Sequence, residues 1–162
     1  MAYTIDLLQD IRHRYITLAT LHDVKDAQPM PDVRVLLDTG AFNTMIDVDL
    51  VDTYGALLPF FIPVTIGGHS GEAQGCVLYR VSIGNFELTR VFALAYPFKD
   101  WLTQHIVLGT NVMNNWDFAT SRVDNKIRFS ERIPDDAPNK NYPYQNYFIN
   151  GEYVTVQSEL LN

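Results

Sequence analysis

The sequence has one cysteine, few basic residues and no long apolar run. Cys76 is the only cysteine in 162 residues, so no intramolecular disulfide can form, which suits a reducing compartment. Twelve Lys and Arg residues against nineteen Asp and Glu residues give a net charge of −7. A polyanion would be repelled, so we expect no nucleic-acid partner. The longest apolar stretches, 56–64 and 91–98, are too short to span a bilayer and contain prolines. Because no basic segment precedes an apolar core near the N-terminus, we expect a cytoplasmic protein with no membrane partner.

Motifs for metals, phosphates and nucleophiles are also missing. The four histidines, at positions 13, 22, 69 and 105, are scattered, with no cysteine or carboxylate at ligand spacing, so we predict no metal site. No glycine-rich phosphate loop ends in Lys-Ser or Lys-Thr. Gly-His-Ser-Gly at 68–71 has no strand-to-helix context that would expose a nucleophilic serine. We therefore expect no cofactor.

What the sequence does contain is a succession of short apolar and β-branched runs bounded by Gly, Pro and Asn. Strands are predicted at 33–37, 77–83 and 87–94, the last two joined by a tight turn at Gly84-Asn85. Helical spacing is confined to 47–54 and 110–115, with Asp47 and Thr110 as candidate caps. The chain is predicted to be all-β, with one or two short helices.

A change in composition divides the chain near residue 133. The segment 134–143 has three prolines among polar residues and is typical of a linker. Beyond it, Asn150-Gly151 lies between aromatic and β-branched runs, which is a strong hairpin signal. We therefore predict one domain at 1–133 and an extension at 134–162 that ends in a β-hairpin.

The most informative motif is Asp38-Thr39-Gly40, which directly follows the apolar strand 33–37. A strand fixes the position of a carboxylate at its end, and a glycine lets the backbone turn sharply beside it. An acid or base residue needs this arrangement. The tripeptide alone is weak evidence, because an aspartate that caps an ordinary strand-to-loop corner has the same sequence.

Two further landmarks follow in order. Residues 63–72 form two alternating apolar runs joined through glycines, which predicts a hairpin. Val107-Leu108-Gly109 is an apolar run that closes on a glycine, and Thr110-Asn111 begins a short stretch with helical spacing. Together with Asp38-Thr39-Gly40-Ala41, this order resembles the retropepsin-like (retroviral-type) aspartic proteases over about residues 11–129.

The resemblance implies a closed-barrel acid-protease fold and an aspartic endopeptidase whose substrate is a peptide or protein. The implied catalytic residues are Asp38, Thr39 and Gly40. The implied substrate-binding flap consists of Ile66, Gly67, Gly68, His69, Ser70 and Gly71. The residues implied to support the active site are Ala41, Val107, Leu108 and Gly109. Because the chain has one Asp-Thr-Gly and the chemistry needs two carboxylates, the resemblance implies a homodimer.

Other interpretations stay open at this point. The fold could serve as a non-catalytic peptide-binding or assembly module, since fold alone does not decide activity. A monomeric β-barrel with an accidental motif is a weaker alternative. The glycine-rich hairpin could be an ordinary flexible surface loop. The extension after 133 could replace, enlarge or block the sheet that the chain termini of that family often build between subunits.

Overall fold

The described residues form twelve strands and three very short helices. The computed structural model describes residues 2–66, 68–84, 86–98, 104–113, 116–121, 123–131, 144–149 and 152–157. The strands are β1 (Ala2–Asp6), β2 (Ile16–His22), β3 (Met30–Leu37), β4 (Met45–Asp47), β5 (Gly55–Ile66), β6 (His69–Ile83), β7 (Phe86–Tyr96), β8 (Ile106–Leu108), β9 (Trp116–Ser121), β10 (Lys126–Glu131), β11 (Tyr144–Ile149) and β12 (Glu152–Gln157). The helices are a 3-10 turn (Val48–Leu50), α1 (Val51–Tyr54) and α2 (Thr110–Met113).

Six of these strands close into a barrel. The order β2-β3-β8-β4-β7-β6 returns to β2, because β2 pairs with both β3 and β6, and β5 adds to the outer edge of β6. β2 pairs with β3 on one edge, with a register shift between Ala19 and Leu21, and the end of β2, residues 20–22, pairs with β6 on the other edge. The closure removes the free edges of the central sheet. The predicted all-β closed barrel is confirmed.

Burial in the barrel follows the alternation of a pleated sheet. Val33, Val35 and Leu37 of β3 are almost fully buried, while the residues between them are partly exposed. The strand β8, in contrast, is buried on both faces and reads as an uninterrupted apolar run. Leu37, the last residue of β3, is thus held by the core through its side chain and by β8 through its backbone.

Two smaller sheets lie outside the barrel. The first has the order β1-β10-β9, and a tight turn at 123–125 joins β9 to β10, as the sequence predicts for Asp124-Asn125. Asn125 connects this sheet to the segment that follows β1, because its side-chain amide donates to Leu7 O at 2.6 Å and its carbonyl accepts from Leu7 N at 2.9 Å. The second is the hairpin β11–β12, which contacts α2.

The two predicted helical segments are confirmed in part. Asp47 caps the 3-10 turn as predicted, since its side chain accepts from Asp49 N. Thr110 does not cap α2: it is already the first helical residue, and its hydroxyl donates to Phe42 O at 3.4 Å. The prediction was wrong because Gly109, which lacks a side chain, occupies the position before the helix.

Several predicted features fall outside the described residues: Gly67 of the flap, Asn85, the end of the second helix at 114–115, the linker 134–143 and the Asn150-Gly151 turn. The strands on either side of that last turn are paired, up to Ile149 and Glu152. The division into a domain at 1–133 and an extension at 134–162 stays a prediction.

Candidate functional site

Asp38 lies at the point where β3 leaves the sheet. Leu37 is paired with Leu108 of β8, and the next amide, Asp38 N, donates to Leu108 O at 3.0 Å. The backbone then turns, with Ala41 N donating to Asp38 O at 3.2 Å and Gly40 N donating to the carboxylate Oδ1 at 2.9 Å. The half-buried carboxylate is therefore fixed from both the strand and the turn.

A buried polar network holds this turn, which we call the 38–44 loop, from behind. Asn111 Oδ1 accepts from both the amide and the hydroxyl of Thr44, each at 2.8 Å, and Asn111 Nδ2 donates to Phe92 O at 3.0 Å. The Thr44 hydroxyl in turn accepts from Gly109 N at 3.1 Å. Thr44 is fully buried and Asn111 nearly so, so these bonds form where water does not compete. The network joins the loop to β8, α2 and β7.

Gly109 brings the loop and α2 into direct backbone contact. A Cβ atom at this position would lie 2.6 Å from the carbonyl carbon and oxygen of Asn43 and 2.9 Å from Ala41 O. The close approach lets Thr110 N donate to Ala41 O at 2.8 Å and Asn111 N donate to Phe42 O at 3.1 Å. A glycine is required here by space, because any side chain would push α2 away from the loop.

In front of the loop is a groove with a volume of about 570 Å³. Asp38 is the only ionisable side chain among the residues that line it. The groove is lined by the 38–44 loop, by the end of β5 and by side chains of β3, β4, β7 and β8. The lining residues are Leu36, Asp38, Gly40, Ala41, Phe42, Asn43, Met45, Pro63, Val64, Thr65, Ile66, Leu94, Phe98 and Val107.

The hairpin of β5 and β6 contributes the end of β5 to the lining of this groove. Its strands pair up to Ile66 and His69, and Gly68 between them has φ +81°, a conformation that favours glycine. Thr65 and Ser70 stand opposite each other with their hydroxyl oxygens 3.4 Å apart. Ile66 and the three residues before it line the groove, whereas His69 and Ser70 are exposed.

Only some of the predicted site residues line the groove. Asp38, Gly40, Ala41, Ile66 and Val107 line one groove, while Leu108 and Gly109 lie behind the 38–44 loop. Gly68, His69, Ser70 and Gly71 belong to the hairpin but not to the groove lining.

Thr39 is exposed, and its hydroxyl makes no hydrogen bond to another of the residues that the structure describes. Thr44 was not predicted as part of the site. A single hydroxyl residue six positions after the aspartate carries no pattern that could have identified it.

A second polar cluster lies away from the groove, between β2 and β6. His22 Nδ1 is 2.7 Å from Asp26 Oδ1, and its Nε2 is 2.8 Å from Ser82 Oγ, an order reminiscent of a hydrolase triad. Arg80, however, reaches both His22 Nδ1, at 2.9 Å, and Asp26 Oδ2, at 3.0 Å. Ser82 also lies within a regular strand rather than on a sharp turn. We therefore interpret the cluster as an ion-pair network at the closure of the barrel. The hydrogen bond from His22, together with the charge of Arg80, lowers the pKa of Asp26.

Among the described residues, no group of three or more His, Cys, Asp or Glu side chains is arranged to hold a metal ion. Within the described residues, no helix is long and apolar enough to cross a membrane.

The closed barrel, with an aspartate at the end of β3, defines a retropepsin-like acid-protease fold. The family model described as "Aspartyl protease" matches residues 24–112, which is more than half of the chain. The chain belongs to this aspartyl protease family. No curated protein matches it.

Proposed function

We propose that this protein is an aspartic endopeptidase in which Asp38 and its counterpart in a second copy of the chain activate a water molecule. The observation that carries the proposal is the position of Asp38. Its carboxylate is the only ionisable group lining the groove, and a backbone amide holds it in place. A carboxylate with a fixed orientation, facing an apolar groove, can take a proton from water at an attacking distance from a bound peptide.

The chemistry explains why a second copy is part of the proposal. Peptide hydrolysis by carboxylates needs one ionised group to activate water and one protonated group to polarise the carbonyl. Two carboxyls about 3 Å apart cannot both ionise cheaply, so they share one proton. One chain contributes one such group to the groove, so a two-fold homodimer completes the site.

The exposed surface of the 38–44 loop supports this assembly. Thr39 and Gly40 are exposed, and the Thr39 hydroxyl is free of partners among the described residues. A hydroxyl can donate one hydrogen bond and accept two, so two copies facing each other could bond across the two-fold axis. The carboxylates would then meet between the loops.

The groove favours an extended peptide with apolar side chains. Its lining is apolar apart from Asp38, Asn43 and Thr65 and the backbone of the loop. The flap, residues 66–71, would cover the peptide and exclude water from the carboxylates. Strand edges on both sides of an extended chain supply main-chain hydrogen bonds, while alternate pockets select side chains.

Cleavage of a peptide library between pH 3 and 7 tests the proposal, with Asp38→Asn as the decisive variant. The amide is nearly isosteric, so we expect the folded variant to lose cleavage entirely, whereas Asp52→Asn, at an exposed position on α1, should cleave like the wild type. The rate should follow a bell-shaped pH profile that belongs to the carboxyl pair. A folded Asp38→Asn protein that still cleaves peptides would contradict the mechanism.

Dilution tests the assembly separately. Because each subunit supplies half of the site, specific activity should fall once the concentration drops below the dimer dissociation constant. A monomeric mass together with constant specific activity would refute the shared site. A dimer that binds peptides without cleaving them would instead identify the non-catalytic peptide-binding module.

A further inference from the structure

The β5–β6 hairpin, the proposed flap, extends past the point where β6 stops pairing with β7. Pairing between β6 and β7 ends at Gln74 and Ala95, whereas pairing between β5 and β6 continues to Ile66 and His69. Residues 62–66 and 69–73 therefore form a two-stranded ribbon that extends beyond the barrel. A two-stranded ribbon is only marginally stable on its own. Its orientation over the groove must depend on side-chain contacts near its base.

One close contact near this base joins Gly71 to Tyr96, next to Ile62 and Ala73, which are buried in an apolar cluster. A Cβ atom at Gly71 would lie 2.6 Å from the Tyr96 hydroxyl oxygen, 2.9 Å from Cε2 and 3.1 Å from Cζ. The ring therefore lies directly against the backbone of the ribbon, in space that a side chain would otherwise fill. Gly71 is opposite Val64, which lines the groove, so the contact is made on the strand pair that covers the site.

Tyr96 is itself anchored to the wall of the groove. It is the last residue of β7 and lies two positions after Leu94, so both side chains are on the same face of the strand. The half-buried ring packs against the apolar cluster that contains Leu94, Met45 and Val107, all of which line the groove. Tyr96 thus connects the fixed wall of the groove to the ribbon that covers it.

We propose that Tyr96 is a positioning residue that seats the flap over the groove through its contact with Gly71. The inference rests on the proposed function for its catalytic consequence, because a seated flap matters only if a peptide is cleaved beneath it. The contact itself exists in the free protein. Loss of the ring should release the ribbon without changing the carboxylate or the 38–44 loop.

Hydrogen exchange on the full-length protein tests the contact without requiring activity. Tyr96→Leu keeps an apolar side chain in the cluster but removes the ring from Gly71. We expect amides in 62–66 and 69–73 to exchange on the order of ten times faster, while those of β2 and β3 stay unchanged. Tyr96→Phe keeps the ring and should retain the wild-type exchange rates.

A double-mutant cycle identifies the partner of the ring. Gly71→Ala should also accelerate exchange, because the new methyl group displaces either the ring or the ribbon. In Tyr96→Leu the ring is absent, so adding Gly71→Ala should cause little further change. Gly68→Ala is the matched control, because nothing lies within 4 Å of a Cβ atom at this position. The variant is strained only by its backbone angle, φ +81°. Its effect on exchange should therefore add fully to that of Tyr96→Leu.

The kinetic consequence separates this inference from the proposed function. Tyr96→Leu should raise KM for a cleaved peptide roughly fivefold with an unchanged pH profile, because the carboxylates are untouched. If the wild type cleaves no peptide, the proposed function fails, and the exchange experiment still decides the role of Tyr96.

Full additivity of Gly71→Ala and Tyr96→Leu, or wild-type exchange in both single variants, would overturn the inference. Should Tyr96→Leu fail to fold, Gly71→Ala, which leaves the core intact, tests the same contact from the flap.

Discussion

Replacing Thr44 with valine would test whether buried hydrogen bonds hold the 38–44 loop in place. Valine has nearly the same shape as threonine, so packing is preserved. The change removes a donor to Asn111 Oδ1, at 2.8 Å, and an acceptor for Gly109 N, at 3.1 Å. The amide of residue 44 can still donate to Asn111, so only the contribution of the hydroxyl is lost.

The expected magnitude follows from what each group loses. A net intramolecular hydrogen bond contributes about 1 kcal/mol, and a buried donor left without a partner costs about 1–3 kcal/mol. Thr44 and Gly109 are both buried, so bulk solvent does not replace the hydroxyl as the partner of the Gly109 amide. Thr44→Val should therefore lower the free energy of unfolding by about 2–4 kcal/mol.

Thr17→Val is the matched control. Thr17 is also buried, but its hydroxyl only donates to Asp6 O, at 2.9 Å, so the variant should lose about 1 kcal/mol. Urea unfolding measures both. With a slope of about 2 kcal/mol per M, the midpoint should fall by about 1–2 M for Thr44→Val and about 0.5 M for Thr17→Val. Equal shifts would refute the argument that the network holds the loop.

Three further predictions concern other parts of the chain. Arg14 hydrogen-bonds Asp10 and lowers the pKa of its carboxyl to about 2. As pH falls, Asp10 therefore takes up a proton in the unfolded chain before it does so in the folded protein. The stability that this ion pair gives above about pH 4 is lost towards pH 2. In acid-unfolding measurements, Asp10→Asn should flatten this dependence and Asp124→Asn, in an exposed turn, should not. Gly109→Ala should cost about 1–3 kcal/mol in urea unfolding, because its methyl group would overlap the backbone of the 38–44 loop. Burial raises the pKa of Cys76 to about 12, so a thiol reagent at pH 8 should label it only after unfolding; rapid labelling of the folded protein would contradict this.

The fold could be predicted from sequence because its signals are local. The alternation along β3, the tight turn that follows Asp124 and the apolar run of β8 each reflect a short-range rule of strand geometry. The position of Asp38 at the end of a buried strand follows from the same rules, and the order of the three landmarks identified the family. The closure of the barrel was expected only through the resemblance to a known family, because the pairing of β2 with β6 joins segments that are distant along the chain.

The parts of the site that sequence did not reveal are those that depend on contacts distant along the chain. Thr44 and Asn111 are 67 positions apart, and only the folded barrel brings their side chains together. The contact of Tyr96 with Gly71 depends on where the pairing of β6 with β7 stops. Neither residue type nor spacing shows where the pairing of two strands will stop. Gly109, in contrast, could be predicted, because a glycine that follows an apolar run is itself a sequence pattern.

The two sides of the groove are built to different degrees of rigidity, and the chemistry explains why. The carboxylate side must hold Asp38 within a fraction of an ångström, so its loop is bonded through Thr44 and Asn111 to three other elements in a water-free interior. In the proposed function the hairpin must open for a peptide, and its base is held by buried Ile62 and Ala73 and by the contact between Tyr96 and Gly71. Polar bonds behind the loop and an apolar contact beneath the hairpin are therefore the arrangement expected of the covered, carboxylate-based site proposed above.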